Sequence, residues 1–204
     1  MKKIVMITLM ALVTMVAAAQ EFVVKSGSLK TLLQDDKKVA LKIDFSKAKM
    51  ANLSSKELTE TLMMDHLKTN DSYMFEHWKE HADECHEFFR ERWNDDKATS
   101  KIIDEDDDDA VDFNINIKFD YIDFGNGVAS VWGLSKKSGG VIMRGTIDFT
   151  DAKGQNVCTL EVNDYRGQST RVMDMKMPTF GRRLALFHKS LAKDILNFAK
   201  KQKR

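Results

Sequence analysis

Three side chains that can bind a metal ion recur at regular intervals in the sequence, namely those of His77, His81 and Cys85. Their intervals of four residues place them on successive turns along one side of a helix. Imidazole nitrogen and thiolate sulfur are ligands that zinc and copper accept. The spacing predicts either a structural or transport site for zinc or copper, or, since Cys85 also belongs to an apolar stripe, ordinary helical histidines beside a core thiol. The second interpretation needs no fourth ligand, and we take it as the leading one.

Other sequence signals for chemistry are weaker. The acidic run at 104–109 lacks the alternating ligands, central glycine and terminal glutamate of a calcium-binding EF loop, and it predicts a solvated loop. Methionines 173, 175 and 177 carry thioethers that suit copper(I), although methionine also fills irregular core gaps. The chain contains neither a Gly-x-Ser-x-Gly elbow nor a phosphate-binding Gly-x4-Gly-Lys-Ser/Thr loop, so its motifs do not support an enzyme. A formal net charge of +1 gives no general attraction for nucleic acid.

The elements that must position these residues follow from hydrophobic periodicity. Apolar residues three and four apart predict helices over 54–68, over 72–93 and after Pro178, and alternating residues predict strands. The strands are predicted at 22–25, 39–45, 113–124, 128–134, 141–149 and 158–162. The last four form a predicted meander, with a bulge where the apolar register moves to Ile122 and a tight turn closing on Gly154. We therefore expect a two-layer α+β domain, with a mainly antiparallel sheet and helices packed on one face.

The N-terminal residues predict export. Lys2 and Lys3 precede an apolar run over 4–16, and Ala17 to Ala19 offer the small residues that a signal peptidase recognises. The apolar run is shorter than the roughly 20 residues that a membrane-spanning helix needs. We expect a signal peptide at 1–19 and a single domain at 20–204, released to the periplasm or the exterior.

Export bears on the two cysteines, Cys85 and Cys158. Oxidising compartments allow disulfides to persist, and a bond between these residues would stabilise the fold by about 2–4 kcal/mol. Two buried, unpaired thiols that behave as small hydrophobic groups are the alternative. The sequence leaves both interpretations open.

Several segments resemble small exported proteins of unknown function from Gram-negative bacteria of the Bacteroidetes type. They are the signal ending at 17–20 (AAAQ), the segment 26–32 (SGSLKTL), the strand end at 43–46 (IDFS) and the terminal helix at 191–198 (LAKDILNF). The order of strand, helices, meander and helix also resembles envelope lipoproteins of the curli-secretion and peptidoglycan-synthase-activator kind. Those proteins carry an anchoring cysteine that this chain lacks. The resemblance implies an envelope location and no particular activity.

Together these observations predict an exported, non-enzymatic interaction or binding module of the bacterial cell envelope. Its expected partner is an envelope protein or a glycan, with neither nucleic acid nor a transmembrane segment involved. The alternative prediction is a periplasmic zinc- or copper-binding protein that uses His77, His81 and Cys85.

Overall fold

Seven strands and two α-helices make up the described part of the chain, which in this computed structural model covers residues 21–34, 36–51, 73–97, 99–103, 110–123, 141–167 and 180–202. The elements in chain order are β1 (Phe22–Gly27), a 3-10 helix (Leu29–Leu32), β2 (Lys38–Asp44), β3 (Lys49–Ala51), α1 (Tyr73–Asn94), β4 (Lys101–Ile102), β5 (Phe113–Asp123), β6 (Ile142–Asp151), β7 (Asn156–Arg166) and α2 (Phe180–Gln202). The predicted signal peptide, the helix at 54–68, the acidic loop at 104–109, the strand at 128–134 and the methionines at 173–177 lie outside the described residues.

The strands form one mixed sheet in the order β1-β7-β6-β5-β2-β4, with β3 pairing β5 beyond the end of β2. The pairs β1–β7, β7–β6 and β6–β5 are antiparallel, whereas β2 and β3 run parallel to β5, and β2 runs parallel to β4. Parallel neighbours need a crossover connection, and the chain between β2 and β5 supplies one through α1. The sheet is therefore mainly antiparallel, and the predicted α+β class is confirmed.

The C-terminal half of the sheet differs from the predicted meander in one respect. β5 pairs directly with β6, from Phe113 opposite Asp151 to Asp123 opposite Ile142. Because β5 and β6 are direct neighbours in the sheet, the expectation that the strand predicted at 128–134 pairs between them is wrong, whereas β5, β6 and β7 do follow one another as antiparallel neighbours. A long antiparallel pair satisfies its own backbone hydrogen bonds without an intervening strand.

Two local backbone features agree with the sequence. The register of β5 against β6 shifts between Phe119 and Tyr121, which is where the apolar pattern moves to Ile122. The hairpin between β6 and β7 closes through a hydrogen bond from the Gly154 amide to the Asp151 carbonyl, at 2.9 Å, with Gly154 at φ +77°. Glycine adopts this left-handed conformation without the steric cost that a Cβ atom brings. Both the predicted bulge and the predicted turn are confirmed.

The two described helices lie side by side on one face of the sheet. Ion pairs join Glu84 to Arg182 at 2.6 Å, Glu91 to Lys189 at 3.6 Å, and Asp96 to Lys200. Since the partners rise in number together, the helices run parallel to each other. The apolar stripe of α2 faces the sheet and is fully buried or nearly so, at Leu184, Phe187, Leu191 and Ile195. Burying each such side chain contributes about 1.5–3 kcal/mol.

The C-terminal end of α1 is fixed to the chain that follows it. The Asn94 amide nitrogen donates to the carbonyl of Ile102 and its amide oxygen accepts from the Ile102 N–H, each at 2.8 Å. The Trp93 indole donates to the Ser100 carbonyl at 2.9 Å, and Lys101 donates to the carbonyl of Asn94 at 2.8 Å. The bond from Lys101 satisfies a carbonyl that a helix end otherwise leaves without a partner, and the other three hold the chain at 100–102 against the helix.

Candidate functional site

The predicted metal-ligand ladder lies on α1, and the structure describes the side chains of two of its members. His81 is half-buried, whereas Cys85 is fully buried. Burial, with a smaller contribution from the charge of Glu84, raises the pKa of the Cys85 thiol far above its ordinary value. This opposes the thiolate that zinc or copper would need. The side chain of His77 lies outside the described residues, and the described ones contain no group of three or more metal-ligating residues. The metal site stays a prediction, which elemental analysis of untagged protein tests.

The two cysteines lie in different elements of the fold, Cys85 on α1 and Cys158 on β7. The structure has both as free thiols with no exposed surface. Burial raises the pKa of Cys158 to about 11. Protonated, buried thiols of this kind react slowly with oxidants and alkylating reagents. Pairing between them stays a prediction for a thiol assay.

A polar surface in the described part of the chain is the sheet face turned away from the helices, which we call the open face. Side chains alternate across a strand, so the residues between the buried ones of β5, β6 and β7 point to this side. They are half-buried or exposed: Asn114, Asn116 and Lys118 on β5, Arg144, Thr146, Asp148 and Thr150 on β6, and Thr159 and Glu161 on β7. Neither α1 nor α2 covers them.

Hydrogen bonds join the open face across the strands. Asp148 lies at the centre, where one carboxylate oxygen accepts from Lys118 at 2.8 Å and the other from Thr159 at 2.9 Å. The Asn156 amide donates in turn to the Thr159 hydroxyl at 2.9 Å. The hydrogen bond to Asp148 and the charge of that carboxylate raise the pKa of Lys118. These bonds hold the Asp148 carboxylate, the Thr159 hydroxyl and the Asn156 amide in fixed directions.

One corner of the open face carries an aromatic ring. The Arg144 guanidinium lies 5.1 Å from the centre of the Tyr121 ring and donates to Asp164 at 2.5 Å. Asp164 has φ 46°, in a part of β7 where the pairing with β6 is irregular. The hydrogen bond from Arg144 to Asp164, with the charge of that carboxylate, raises the pKa of Arg144. An arginine over an aromatic ring is a recurrent stabilising arrangement.

A second feature, inside the helix layer, was missed by the sequence analysis. His188 of α2 is fully buried, and its Nδ1 lies 2.7 Å from the carbonyl oxygen of Leu184. Burial lowers the pKa of His188 to about 4, outweighing the hydrogen bond with Leu184, which raises it; the charge of His86 lowers it slightly further. The signal was available, since His188 follows Leu184 by four residues and so belongs to the apolar stripe of α2.

Comparisons with known proteins add little to this geometry. No protein-family model matches the chain, and no curated protein matches it. Solved structures that match this chain include two PelC dodecamers from Paraburkholderia phytofirmans, the first of them a single-substitution variant. The first has 11% sequence identity and a TM-score of 0.39, covering 87% of this chain and 97% of that chain. The second has 13% sequence identity and a TM-score of 0.37, covering 84% of this chain and 96% of that chain. A likeness this distant carries no inference about function.

Among the described helices, none has the length and apolar character needed to cross a lipid bilayer. The described part of the chain thus presents a helix layer, a buried histidine and an open polar sheet face. Of these, the open face is the one whose polar side chains alternate along three neighbouring strands.

Proposed function

We propose that this chain is an exported, non-enzymatic binding module of the bacterial cell envelope, and that its open face binds an uncharged glycan. The observation that carries the proposal is the open face itself, a sheet surface of hydrogen-bonding side chains that neither described helix covers. Export rests on the basic, apolar and small-residue order of the first 19 residues. The resemblance to exported proteins of Gram-negative bacteria supports the same location.

The charge distribution favours an uncharged partner. The ion pairs of this surface join Lys118 to Asp148 at 2.8 Å and Arg144 to Asp164 at 2.5 Å. At the β1 side, Lys25 pairs with Glu161 at 2.9 Å. Because each pair cancels its own charge, these residues create no strong field of either sign to attract an anionic or cationic polymer.

The side-chain chemistry favours hydroxyl groups as the partner. A sugar hydroxyl both donates and accepts, and it is matched by side chains that do the same, such as Asn116 and Thr146. The Thr159 hydroxyl gives its proton to Asp148 and keeps a lone pair that can accept from a sugar. These residues lie on adjacent strands, about 4.8 Å apart in the hydrogen-bonding direction. Two neighbouring strands therefore offer polar groups at a spacing that an extended oligosaccharide can bridge.

The experiment that tests this proposal is NMR titration of the 15N-labelled mature protein with neutral oligomers of glucose and of N-acetylglucosamine. We expect shifts of the amides of β5, β6 and β7 on addition of at least one oligomer. A variant with Asn116→Ala, Thr146→Ala and Thr159→Ala removes three hydrogen-bonding groups of about 0.5–1.5 kcal/mol each, so it should bind about tenfold more weakly or worse. Asn197→Ala, which removes an exposed amide from α2, is the matched control and should bind like the wild type.

Three outcomes count against the proposal. They are shifts confined to α1 and α2, unchanged binding by the triple variant, and binding of the anionic polymer alginate in preference to every neutral oligomer. N-terminal sequencing of protein from its native host tests the location separately, because an exported chain should begin near Gln20.

A further inference from the structure

The imidazole of His188 has one nitrogen with a partner and one without. Nδ1 lies 2.7 Å from the Leu184 carbonyl oxygen, which only accepts, so Nδ1 carries the proton and donates. Nε2 then holds a lone pair, and it has no hydrogen-bond partner within the described part of the chain. A buried polar atom without a partner costs free energy, and its environment here must favour the uncharged ring.

Phenyl rings from three different parts of the fold surround this imidazole. The ring centre of Phe119, on β5, lies 5.4 Å away, and that of Phe187, on α2, lies 5.5 Å away. Phe45, in the connection after β2, lies 5.8 Å away and stacks on Phe119 at 4.9 Å. The histidine therefore lies where α2, the sheet and the connection between β2 and β3 meet.

Within the part of the chain that the structure describes, the groups that face His188 offer no compensation for a positive charge. β5 and the connection after β2 present phenyl rings, and α2 itself presents Phe187 and the Leu184 carbonyl. The titratable group that acts on His188 is His86 of α1, which is half-buried and would repel a second positive charge. Protonation of Nε2 would thus create a donor with no acceptor, beside a like charge.

We propose that His188 is an acid-sensitive switch, whose protonation at Nε2 separates Phe45 and the N-terminal half of α2 from the sheet. In the closed state the neutral ring packs among the phenyl groups. In the open state the imidazolium donates its Nε2–H to water, while the Nδ1 proton stays where it is. The connection at 45–48 is short, and its described backbone amides make local bonds, from Ala48 to the Phe45 carbonyl at 3.1 Å and from Ser46 to the Asp44 carboxylate at 2.8 Å. We therefore expect it to be the part that moves first.

The size of the expected effect follows from proton linkage. With a pKa of about 4 in the closed state and the ordinary 6.5 in the open one, the opening equilibrium rises about 20-fold between pH 7 and pH 5. Below pH 4 both states bind the proton and the rise stops. The effect is independent of the proposed glycan binding, since the open face lies on the other side of the sheet.

Hydrogen exchange measured by mass spectrometry tests the switch, with rates corrected for the intrinsic effect of pH. We expect amides at 45–48 and 184–192 to exchange about 20-fold faster at pH 5 than at pH 7 after correction, relative to amides of β6. His188→Leu should abolish this acceleration, whereas His81→Asn, which removes a half-buried histidine of α1, should leave it intact.

If His188→Leu does not fold, NMR measurements on the wild-type protein still test the proposed switch. NMR titration of the 15N-labelled histidine rings should show one ring neutral at pH 6, with its proton on Nδ1. A ring at position 188 that is charged at pH 6, or corrected exchange at 184–192 that does not change with pH, would overturn the proposal. Retention of the acceleration in a folded His188→Leu variant would overturn it as well.

Discussion

The hydrogen bond between Tyr165 and Asp194 gives the sharpest test of how the helix layer is attached to the sheet. The Tyr165 hydroxyl on β7 donates to the Asp194 carboxylate on α2 at 2.8 Å. The Tyr165 ring is fully buried, packing against Phe22 at 5.1 Å and Phe187 at 5.5 Å. Tyr165→Phe removes the hydroxyl and leaves this packing in place.

The expected loss follows from the chemistry of that bond. A hydrogen bond to a charged group contributes about 1.5–3 kcal/mol, and Asp194 is half-buried, so water replaces part of the lost interaction. We expect Tyr165→Phe to lower the free energy of unfolding by about 1–2 kcal/mol, or the melting temperature by about 2–8 °C for a domain of this size. Burial, reinforced by the charge of Asp194, raises the pKa of Tyr165 far above its ordinary value, so the loss should not change between pH 7 and pH 9.

Urea unfolding followed by circular dichroism measures this loss. Tyr121→Phe is the matched control, because Tyr121 lies on the open face and a phenyl ring keeps its contact with Arg144; its effect should stay within about 0.5 kcal/mol. A double-mutant cycle with Asp194→Ala isolates the pair. Equal losses in the two tyrosine variants, or additive losses in the cycle, would refute the reasoning.

Three further predictions concern single sites. Gly145→Ala should lower the free energy of unfolding by more than ~3 kcal/mol, since its Cβ would lie 2.1 Å from the Lys118 carbonyl oxygen of the paired strand. Gly154→Ala should lower it by about 1 kcal/mol, because no atom lies within 4 Å of the added Cβ and the cost is that of φ +77° alone. Equal losses of the two variants in urea unfolding would contradict this. Cys85 and Cys158 should resist iodoacetamide at pH 8 in native protein and react fully in urea without reductant; failure to react in urea would reveal a disulfide. Because its pKa falls from 6.5 to about 4 on folding, His188 contributes stability above pH 6.5 that is lost on acidification, about 2 kcal/mol between pH 7 and pH 5. Most carboxylates titrate below this range, so a free energy of unfolding that does not change between pH 7 and pH 5 would contradict the burial of His188.

Local features of the fold could be predicted because their causes are local. The apolar stripe predicted a helix over 72–93, and α1 covers Tyr73–Asn94. The shift of the apolar pattern to Ile122 predicted the bulge in β5, and the Gly154 turn lies where its residues placed it. In each case residues within a few positions of one another determine the backbone conformation.

The neighbours of each strand could not be predicted in the same way. Alternation identifies which side chains of β2 are buried, but it contains no information on the strand that lies beside it. Val39 of β2 pairs with Phe113 of β5 in parallel, across a crossover that includes α1. This pairing joins residues that are far apart in the sequence, so no local pattern specifies it.

The candidate site could likewise be predicted only in its local features. The alternation in β5 already separated Asn114, Asn116 and Lys118 from the core residues, so their common face could be predicted. Their partners could not, because strand pairing is what brings Asp148 to Lys118 and Thr159 to Asp148. The burial of His188 could have been predicted from its place in the apolar stripe of α2, but its contacts with Phe45 and Phe119 could not, because they depend on tertiary packing.

The two proposed functional features differ in what they contribute to stability, and this difference makes them separable. The ion pairs of the open face are partly exposed, with 54% of the Lys118 side chain and 24% of that of Asp148 accessible to solvent, and pairs of this kind contribute about 0–1 kcal/mol. Substitutions there should change binding while the fold persists. His188 has no exposed surface and touches three parts of the fold, so any change in its charge must alter the packing around it. A protein that loses glycan binding at neutral pH without losing stability would therefore implicate the open face, and one that loses helix protection only in acid would implicate His188.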